Sequence, residues 1–247
     1  MPTSEDGMAM LLDVTGVESG YGKLTVLHGV SLGADTGEVV SILGPNGAGK
    51  STLMKTIACH LPVKSGQITL KGERLDGQGP YHVARSGVGY VPQDNNVFGD
   101  MTVLENLEVG ALGLGRDQTA LIEGVFERFP ILSERRQQRA STLSGGERQT
   151  LAVSSALITG SDLLLLDETT AGLAPKFVEE MVRWIVEVAG RGTAVIWVLE
   201  QNPEPVLEIS KRTYLMEGGQ IRAELQSSEL LQPGRLEEVI LEDRPSD

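Results

Sequence analysis

The segment with the clearest chemical capacity is GPNGAGKST, residues 44–52. Gly44, Gly49, Lys50 and Ser51 fit the pattern G-x-x-x-x-G-K-[ST]. Glycines let backbone N–H groups curve around a polyphosphate, because no Cβ blocks the close approach. Lys50 would supply positive charge to the outer phosphates, and Ser51 would offer a hydroxyl to Mg²⁺. The apolar run before the segment and the helix-compatible stretch after it favour a phosphate-binding loop at a helix N-terminus.

The second segment with catalytic residue types is LLLLDE, which ends in Asp167 and Glu168. An apolar strand would bring both carboxylates to the C-terminal edge of a parallel sheet, where the phosphate-binding loop must also lie. Asp167 would then hold Mg²⁺ through water, and Glu168 would accept a proton from the water that attacks a γ-phosphate. In isolation the segment could equally be a strand that ends in a solvated acidic turn.

A third motif, LSGGERQ at residues 143–149, directly precedes the helical stretch TLAVSSAL. A Ser hydroxyl and two Gly amides at a helix N-terminus form a second anion-binding site. One ATP does not need two such sites in one chain, so the motif predicts two domains arranged head to tail. Each would close Ser144, Gly145 and Gly146 onto ATP held by the loop of the other. An N-capped helix alone would explain a Ser and a Gly, but not the whole combination.

The elements that position these motifs follow from hydrophobic periodicity. Short apolar runs at Val39–Leu43, Leu163–Leu166 and Thr193–Leu199 predict buried strands, and PKFVEEMVRWIVEVAG between the last two predicts an amphipathic helix. Such alternation indicates a parallel sheet covered on both faces. Three strand-like runs precede or flank the loop and predict an antiparallel layer: Leu11–Val17, Val30–Ala34 and Gln67–Leu70.

The remaining segments complete a single domain over residues 1–247. Residues 94–160 carry helical patterns and few strand signals, so we expect a helical subdomain inserted into the α/β core. After Gly219 we expect one strand, one short helix and a frayed charged terminus.

Composition, charge and residue spacing disfavour several classes of function. The net charge of −13 disfavours binding to nucleic-acid phosphates, so no nucleic-acid partner is expected. Cys59 is the single cysteine and cannot form an internal disulfide. The apolar runs are far shorter than a membrane span, so membrane association would require a partner. His28, His60 and His82 have no companions at metal-ligand spacing, which disfavours zinc.

In this order, the three motifs resemble the nucleotide-binding domain of ABC transporters, and the resemblance covers nearly the entire chain. It implies an α/β fold: a P-loop NTPase core of ABC type with an antiparallel β layer and an inserted α-helical subdomain. It also implies ATP and Mg²⁺ as ligands. Tyr21 matches the aromatic residue that stacks on adenine, and Gln93 matches the glutamine that contacts Mg²⁺ and senses the membrane subunit.

The residues expected to act fall into three sets. The catalytic set is Glu168, Gln93 and Gln201, and the metal set is Ser51, Gln93 and Asp167. The nucleotide-binding set is Tyr21, Gly44, Pro45, Asn46, Gly47, Ala48, Gly49, Lys50, Ser51, Thr52, Ser144, Gly145, Gly146 and Glu147.

The chain departs from the general family pattern at three positions. Gln201 stands where a His usually bonds the γ-phosphate, and an amide can donate a hydrogen bond there but cannot carry a proton charge. Ala174 replaces an Asp, and Thr169 follows Glu168 where Pro is common. The patterns LEQN and AGLAP are similar to the ATP-binding subunits of branched-chain amino-acid importers and of their relatives for urea or short amides.

That resemblance implies the partners and the location. The expected partners are transmembrane permease subunits, a second ATP-binding subunit as homodimer or heterodimer, and indirectly a substrate-binding protein. The expected location is the cytoplasmic face of the membrane, as a peripheral subunit. Two alternatives are a soluble ABC ATPase of DNA repair or translation, which usually has coiled-coil insertions or two cassettes, and a non-catalytic subunit, which the retained Glu168 disfavours.

Overall fold

Two β-sheets organise the chain in the computed structural model, which describes residues 10–94, 96–112, 117–158, 160–170, 173–200 and 202–242. In these residues the strands are β1 Met10–Tyr21, β2 Leu24–Asp35, β3 Val39–Leu43, β4 Val63–Leu70, β5 Glu73–Arg74, β6 Val88–Val91, β7 Leu163–Asp167, β8 Ala194–Val198, β9 Arg212–Glu217 and β10 Gln220–Gln226. The helices are α1 Lys50–Ile57, α2 Pro80–Arg85, α3 Val103–Ala111, α4 Gln118–Arg128, α5 Pro130–Glu134, α6 Gly145–Ile158, α7 Pro175–Gly190, α8 Glu204–Leu207, α9 Ser227–Leu230 and α10 Arg235–Glu242.

The larger sheet has the strand order β10-β9-β3-β8-β7-β6. Its strands run parallel except for β10, which pairs antiparallel with β9. Every residue of β3, β7 and β8 is buried, because both faces of the sheet are covered. This explains why these strands read as continuous apolar runs rather than as alternating ones.

Alternate residues of the buried strands enter two different cores. Leu163 and Leu165 of β7 pack in the core that contains α1 and the antiparallel strands. Leu164 and Leu166 pack in a second core with α7, α8 and part of α6. The period of two follows from the pleat of a strand, whose successive side chains point to opposite faces. Packing on both faces therefore holds β7 in place and fixes the position of Asp167 at its end.

The smaller sheet is antiparallel, with the order β2-β1-β4-β5. The hairpin of β1 and β2 pairs Met10 with Asp35 at one end and Tyr21 with Leu24 at the other. A backbone bond from His28 N to Gly219 O at 2.9 Å joins this sheet to the turn between β9 and β10. The antiparallel layer expected from the sequence is therefore present and supports the first core.

The segment between β6 and β7 is helical in its described residues, with α3, α4, α5, a 3₁₀ turn at Ala140–Thr142 and α6. It has its own apolar core, which includes Leu107, Phe126 and Leu151. Trp184 of α7 packs against both this core and the second one, and its ring meets Phe129 at 4.9 Å. Whether residues 94–160 act as a separate subdomain stays a prediction.

A buried ion pair lies where the start of β9 meets the turn between β2 and β3. The guanidinium of Arg212, at the start of β9, meets Glu38 through Nε–Oε1 at 2.9 Å and through an Nη2–Oε2 hydrogen bond at 3.0 Å. The side chain of Glu38 is 1% exposed, and its Oε2 also accepts from Asp35 N at 2.7 Å. On its outer side Arg212 donates to Glu224 at 2.9 Å. Burial lowers the pKa of Arg212, but the bonds to Glu224 and Glu38 outweigh burial and raise it overall.

Three buried hydroxyls form a short chain behind the sheet. Ser41 Oγ of β3 lies 2.7 Å from Thr213 Oγ1 of β9. Thr213 Oγ1 lies 2.8 Å from Ser227 Oγ at the start of α9. All three residues are buried, so each hydroxyl depends on the others for its hydrogen bonds.

The tail differs from the sequence prediction in one respect. The strand after Gly219 is β10, but two helices follow it rather than one, α9 and α10. The turn at residues 231–234 separates them, and Gly234 there adopts a φ of 79°. A left-handed residue cannot continue a right-handed helix, which explains the break. The end of the predicted frayed terminus, residues 243–247, lies outside the described residues.

Candidate functional site

The predicted chemical groups meet at one edge of the parallel sheet. β3, β8 and β7 are neighbours in that order, and their C-terminal ends lie side by side. β3 leads into residues 44–49, β8 leads to Glu200, and β7 ends with Asp167 and Glu168. β6, beside β7, leads to Gln93. Ligands of open parallel sheets bind at this edge, outside the carboxyl ends of the strands.

The loop of residues 44–49 has the backbone of a phosphate cradle. Gly47 has a φ of 82° and would place a Cβ in open space, and Pro45, Asn46 and Gly47 are exposed. Gly49, with a φ of 103°, is the N-cap of α1. The exposed loop and the N-terminus of α1 together offer backbone N–H groups to an anion. The residues present therefore fit a nucleotide phosphate.

Lys50 supplies the positive charge of this cradle. Its side chain is buried, and Nζ donates to the carbonyl oxygens of Gly44 at 2.8 Å and Pro45 at 3.1 Å. Nζ also lies 3.7 Å from Glu168 Oε1. The ammonium is thus held between the loop and the carboxylate predicted to act as a base.

Asp167 joins two hydroxyl groups at the end of β7. Its Oδ1 accepts from Ser51 Oγ at 3.1 Å, and its Oδ2 accepts from Tyr90 Oη at 3.4 Å. Burial raises the pKa of Asp167, while the bonds from Ser51 and Tyr90 oppose that rise. Burial and the nearby Asp167 raise the pKa of Tyr90, so its phenol stays protonated and remains a donor. The contact between Ser51 and Asp167 brings together two of the three residues predicted to bind metal.

Glu168 lies beside this pair in a strained backbone conformation. Its φ is 51°, and its N–H donates to Val198 O of β8 at 3.2 Å. Its side chain is 7% exposed, and Gln93 Nε2 donates to Oε2 at 2.7 Å. Burial first and the carboxyl of Glu200 second raise the pKa of Glu168, against the opposing charge of Lys50. A carboxylate with a raised pKa is a stronger base toward water.

Glu200 is a site residue that the sequence analysis did not single out. Its Oε1 accepts from Asn46 Nδ2 at 2.7 Å. That bond first and the neighbouring carboxyl of Glu168 second lower the pKa of Glu200. An acidic residue directly after the apolar run AVIWVL repeats the arrangement of LLLLDE, and this likeness was the signal in the sequence.

The LSGGERQ motif lies at the start of α6, and its hydrogen bonds stay within the helical segment. Ser144 N donates to Glu147 Oε2 at 2.9 Å and Glu147 N to Ser144 Oγ at 3.4 Å, which is a capping box. Glu147 is buried and also pairs with Arg135 at 3.0 Å. Ser144 and Gly145 are exposed. The first turn of α6 therefore presents its Ser and Gly outward, while Glu147 points inward.

The remaining predicted residues have different positions. Tyr21 is the last residue of β1, and 47% of its surface is exposed. Ala174 is the N-cap of α7, and Thr169 is buried with its hydroxyl directed at Met181 Sδ, 3.8 Å away. The predicted role of Gln201 falls outside the described residues.

Two further properties concern metals and membranes. In the described ranges, no three His, Cys, Asp or Glu residues come together as a metal cluster. A Mg²⁺ site needs no such cluster, because Mg²⁺ keeps several waters and takes few protein ligands beside phosphates. The same part of the chain contains no helix with the length and apolar character needed to cross a membrane.

Comparison with known proteins identifies the family to which the chain belongs. Residues 27–171 match the ABC transporter family, and this span contains the P-loop, LSGGERQ and LLLLDE. The chain belongs to this family, as an ATP-binding subunit that hydrolyses ATP. Subunits of this class work with transmembrane components and dimerise. The sequence predictions of family, fold class and ATPase activity are confirmed.

Two relatives are similar over most of their length. BraG of Pseudomonas aeruginosa, a high-affinity branched-chain amino acid transport ATP-binding protein, is 39% identical over 85% of this chain and 91% of its own. LivF of Archaeoglobus fulgidus, a probable branched-chain amino acid transport ATP-binding protein, is 35% identical over 94% of this chain and 98% of its own.

Solved structures agree with the fold. The ADP conformation of MJ1267, an ATP-binding cassette of an ABC transporter, has a TM-score of 0.80 and 26% identity, and covers 95% of this chain and 98% of its own. A nucleotide-free ATP-binding cassette from an ABC transporter has a TM-score of 0.79 and 25% identity, with 95% and 96% coverage.

Proposed function

We propose that the chain energises the import of branched-chain amino acids. The observation that carries this proposal is the similarity to BraG and LivF at 39% and 35% identity over most of both chains. The Glu-Gln-Asn pattern after β8 and the Gly-Leu-Ala-Pro pattern before α7 support the same subfamily.

We assign the chemistry to the sheet edge. Lys50 and the backbone of residues 44–52 bind the phosphates, and Glu168 accepts the proton of the attacking water. Ser51, Asp167 and Gln93 would hold Mg²⁺, with the contact between Ser51 and Asp167 already formed. When bound, Mg²⁺ neutralises charge on the phosphate oxygens. Gln201 donates its amide hydrogen bond to the γ-phosphate.

The other half of each site comes from a second ATP-binding subunit. Ser144 and Gly145 are exposed at the N-terminus of α6, which suits an anion presented by a partner. Transmembrane permeases and, through them, a substrate-binding protein complete the transporter. The chain then lies at the cytoplasmic face of the membrane as a peripheral subunit.

Reconstitution tests the proposed substrate. The chain is co-expressed with the second ATPase subunit, the permeases and the binding protein from its own gene neighbourhood, and the complex is placed in liposomes. Leucine, isoleucine or valine, added outside together with the binding protein, should stimulate ATP hydrolysis and accumulate inside vesicles that enclose ATP. Stimulation by urea or a short amide instead would contradict the proposed substrate. Export of the amino acids would contradict the direction.

Tyr21 provides a prediction about nucleotide affinity. Tyr21→Ala should weaken ATP binding by about fivefold to tenfold, the low end of the about 1–3 kcal/mol that an aromatic–base stack contributes, because this ring is half exposed. Tyr21→Phe should bind like the parent, because the stacking face is kept. Titration with a fluorescent ATP analogue measures the dissociation constants.

Tyr81→Ala is the matched control, because Tyr81 is an exposed tyrosine (68%) on α2, away from the sheet edge. Equal affinity in Tyr21→Ala and Tyr81→Ala would remove Tyr21 from the nucleotide site. Both variants should keep the parent's thermal midpoint.

A further inference from the structure

Glu200 occupies a central position that follows from strand order. β8 lies between β3 and β7, so Glu200, two residues beyond the end of β8, stands between the P-loop and Glu168. Leu199, immediately before it, is buried, and its N–H donates to Ile42 O at 3.0 Å. The backbone that carries Glu200 is therefore fixed against the end of β3, the strand that leads into the P-loop.

The side chain of Glu200 interacts with groups on both sides. Its Oε1 accepts a charge-assisted hydrogen bond from Asn46 Nδ2 at 2.7 Å, across 154 positions of sequence. The carboxyl of Glu200 raises the pKa of Glu168, and that of Glu168 lowers the pKa of Glu200, so the two groups influence each other. Glu168 is in turn held by Gln93 at 2.7 Å. The bond between Asn46 and Glu200 therefore ties the loop to the end of β8, the strand that pairs with β7.

Asn46 lies in the exposed part of the P-loop, where a hydrogen bond to the rest of the protein restricts the motion of the loop most. Residues 45–47 are the exposed part of the loop, while Ala48 is buried and Lys50 bonds the loop's own carbonyls. The bond to Glu200 links this exposed part to the end of β8. A loop that is already held in its binding shape loses less conformational entropy when it binds a ligand.

We infer that Glu200 is a positioning residue for ATP binding, which holds the tip of the P-loop through Asn46. The inference rests on the proposed role of residues 44–52 in nucleotide binding. Glu200 acts by holding the loop and takes no part in the reaction itself.

Charge and tether have opposite effects, and this makes the inference testable. A carboxylate near the phosphate site repels ATP, so removal of its charge alone should strengthen binding. Loss of the hydrogen bond should weaken binding, by about threefold to tenfold for a net contribution of about 0.5–1.5 kcal/mol. Glu200→Gln removes the charge and keeps an acceptor for Asn46, whereas Glu200→Ala removes both.

The experiment measures the dissociation constant of a fluorescent ATP analogue for the full-length chain. Glu200→Gln should bind as tightly as the parent or more tightly. Glu200→Ala should bind about threefold to tenfold more weakly than Glu200→Gln. In an Asn46→Ala background the two variants should differ by less than about twofold, because the shared bond is already absent. Glu208→Ala is the control and should bind like the parent, because Glu208 is an exposed acidic residue at the C-cap of α8.

Two results would overturn the inference. Equal affinities of Glu200→Ala and Glu200→Gln would show that Glu200 acts through charge alone. A difference that persists in the Asn46→Ala background would show that Glu200 does not act through Asn46. A failure of amino-acid stimulation in the reconstituted transporter would overturn the proposed substrate, but it would leave these affinities unchanged.

Discussion

Replacing Glu168 with Gln should lower the ATPase turnover number by about 10²- to 10⁴-fold while ATP binding is preserved. The amide cannot accept a proton from the attacking water, but its oxygen can still accept the hydrogen bond that Gln93 donates to Glu168. The binding contacts of Lys50 and Ser51 come from other residues of the site. Turnover is measured on the assembled complex, and binding is measured with a fluorescent ATP analogue.

The local environment also predicts that this variant folds normally. Burial raises the pKa of Glu168, which means that the protein disfavours its charged form. A neutral amide of the same shape should therefore not lower the thermal midpoint. Glu73→Gln, an exposed carboxylate on β5, is the control and should hydrolyse ATP like the parent. Unchanged turnover in Glu168→Gln would refute the assigned role of Glu168.

The largest expected effect on stability belongs to the buried ion pair of Arg212 and Glu38. Arg212→Ala should lower the free energy of unfolding by about 3–5 kcal/mol, because it leaves the carboxylate of Glu38 buried without its cation. The side chain of Glu38 is 1% exposed, and Asp35 N is its remaining donor at 2.7 Å. Urea denaturation followed by circular dichroism measures the change.

Two comparison variants make the test specific. Glu224→Ala removes the exposed partner of Arg212, and its expected cost is below about 1 kcal/mol. The double variant Glu38→Leu with Arg212→Met removes both charges and should recover much of the loss. If Arg212→Ala were no more destabilising than Glu224→Ala, the buried interaction between Arg212 and Glu38 would contribute nothing to stability.

The sequence predicted the elements that are encoded in contiguous residues. The loop before Lys50, the apolar strand before Asp167 and the helix over PKFVEEMVRWIVEVAG each carry their own periodicity or glycines, and the structure has them as β3 with α1, β7 and α7. The first two of these lie within the span that matches the family.

The contacts that the sequence did not predict join residues far apart in the chain. β9 reads RTYLME and carries little apolar signal of its own, because its burial depends on β3 and β10 beside it. The bond between Asn46 and Glu200 depends on the order in which β3, β8 and β7 lie in the sheet. Periodicity predicts that strands exist, but not their order, and the partner of Glu200 follows from that order.

The hydroxyl chain of Ser41, Thr213 and Ser227 has an evolutionary consequence. Substitution of Thr213 by Val would leave two buried hydroxyls without their shared partner, whereas exchanging all three positions for apolar residues of similar shape would be nearly neutral. Single steps from one solution to the other therefore pass through a less stable intermediate. Among descendants of a common ancestor, we expect these three positions to change together: lineages should carry either hydroxyls at all of them or hydrocarbon at all of them.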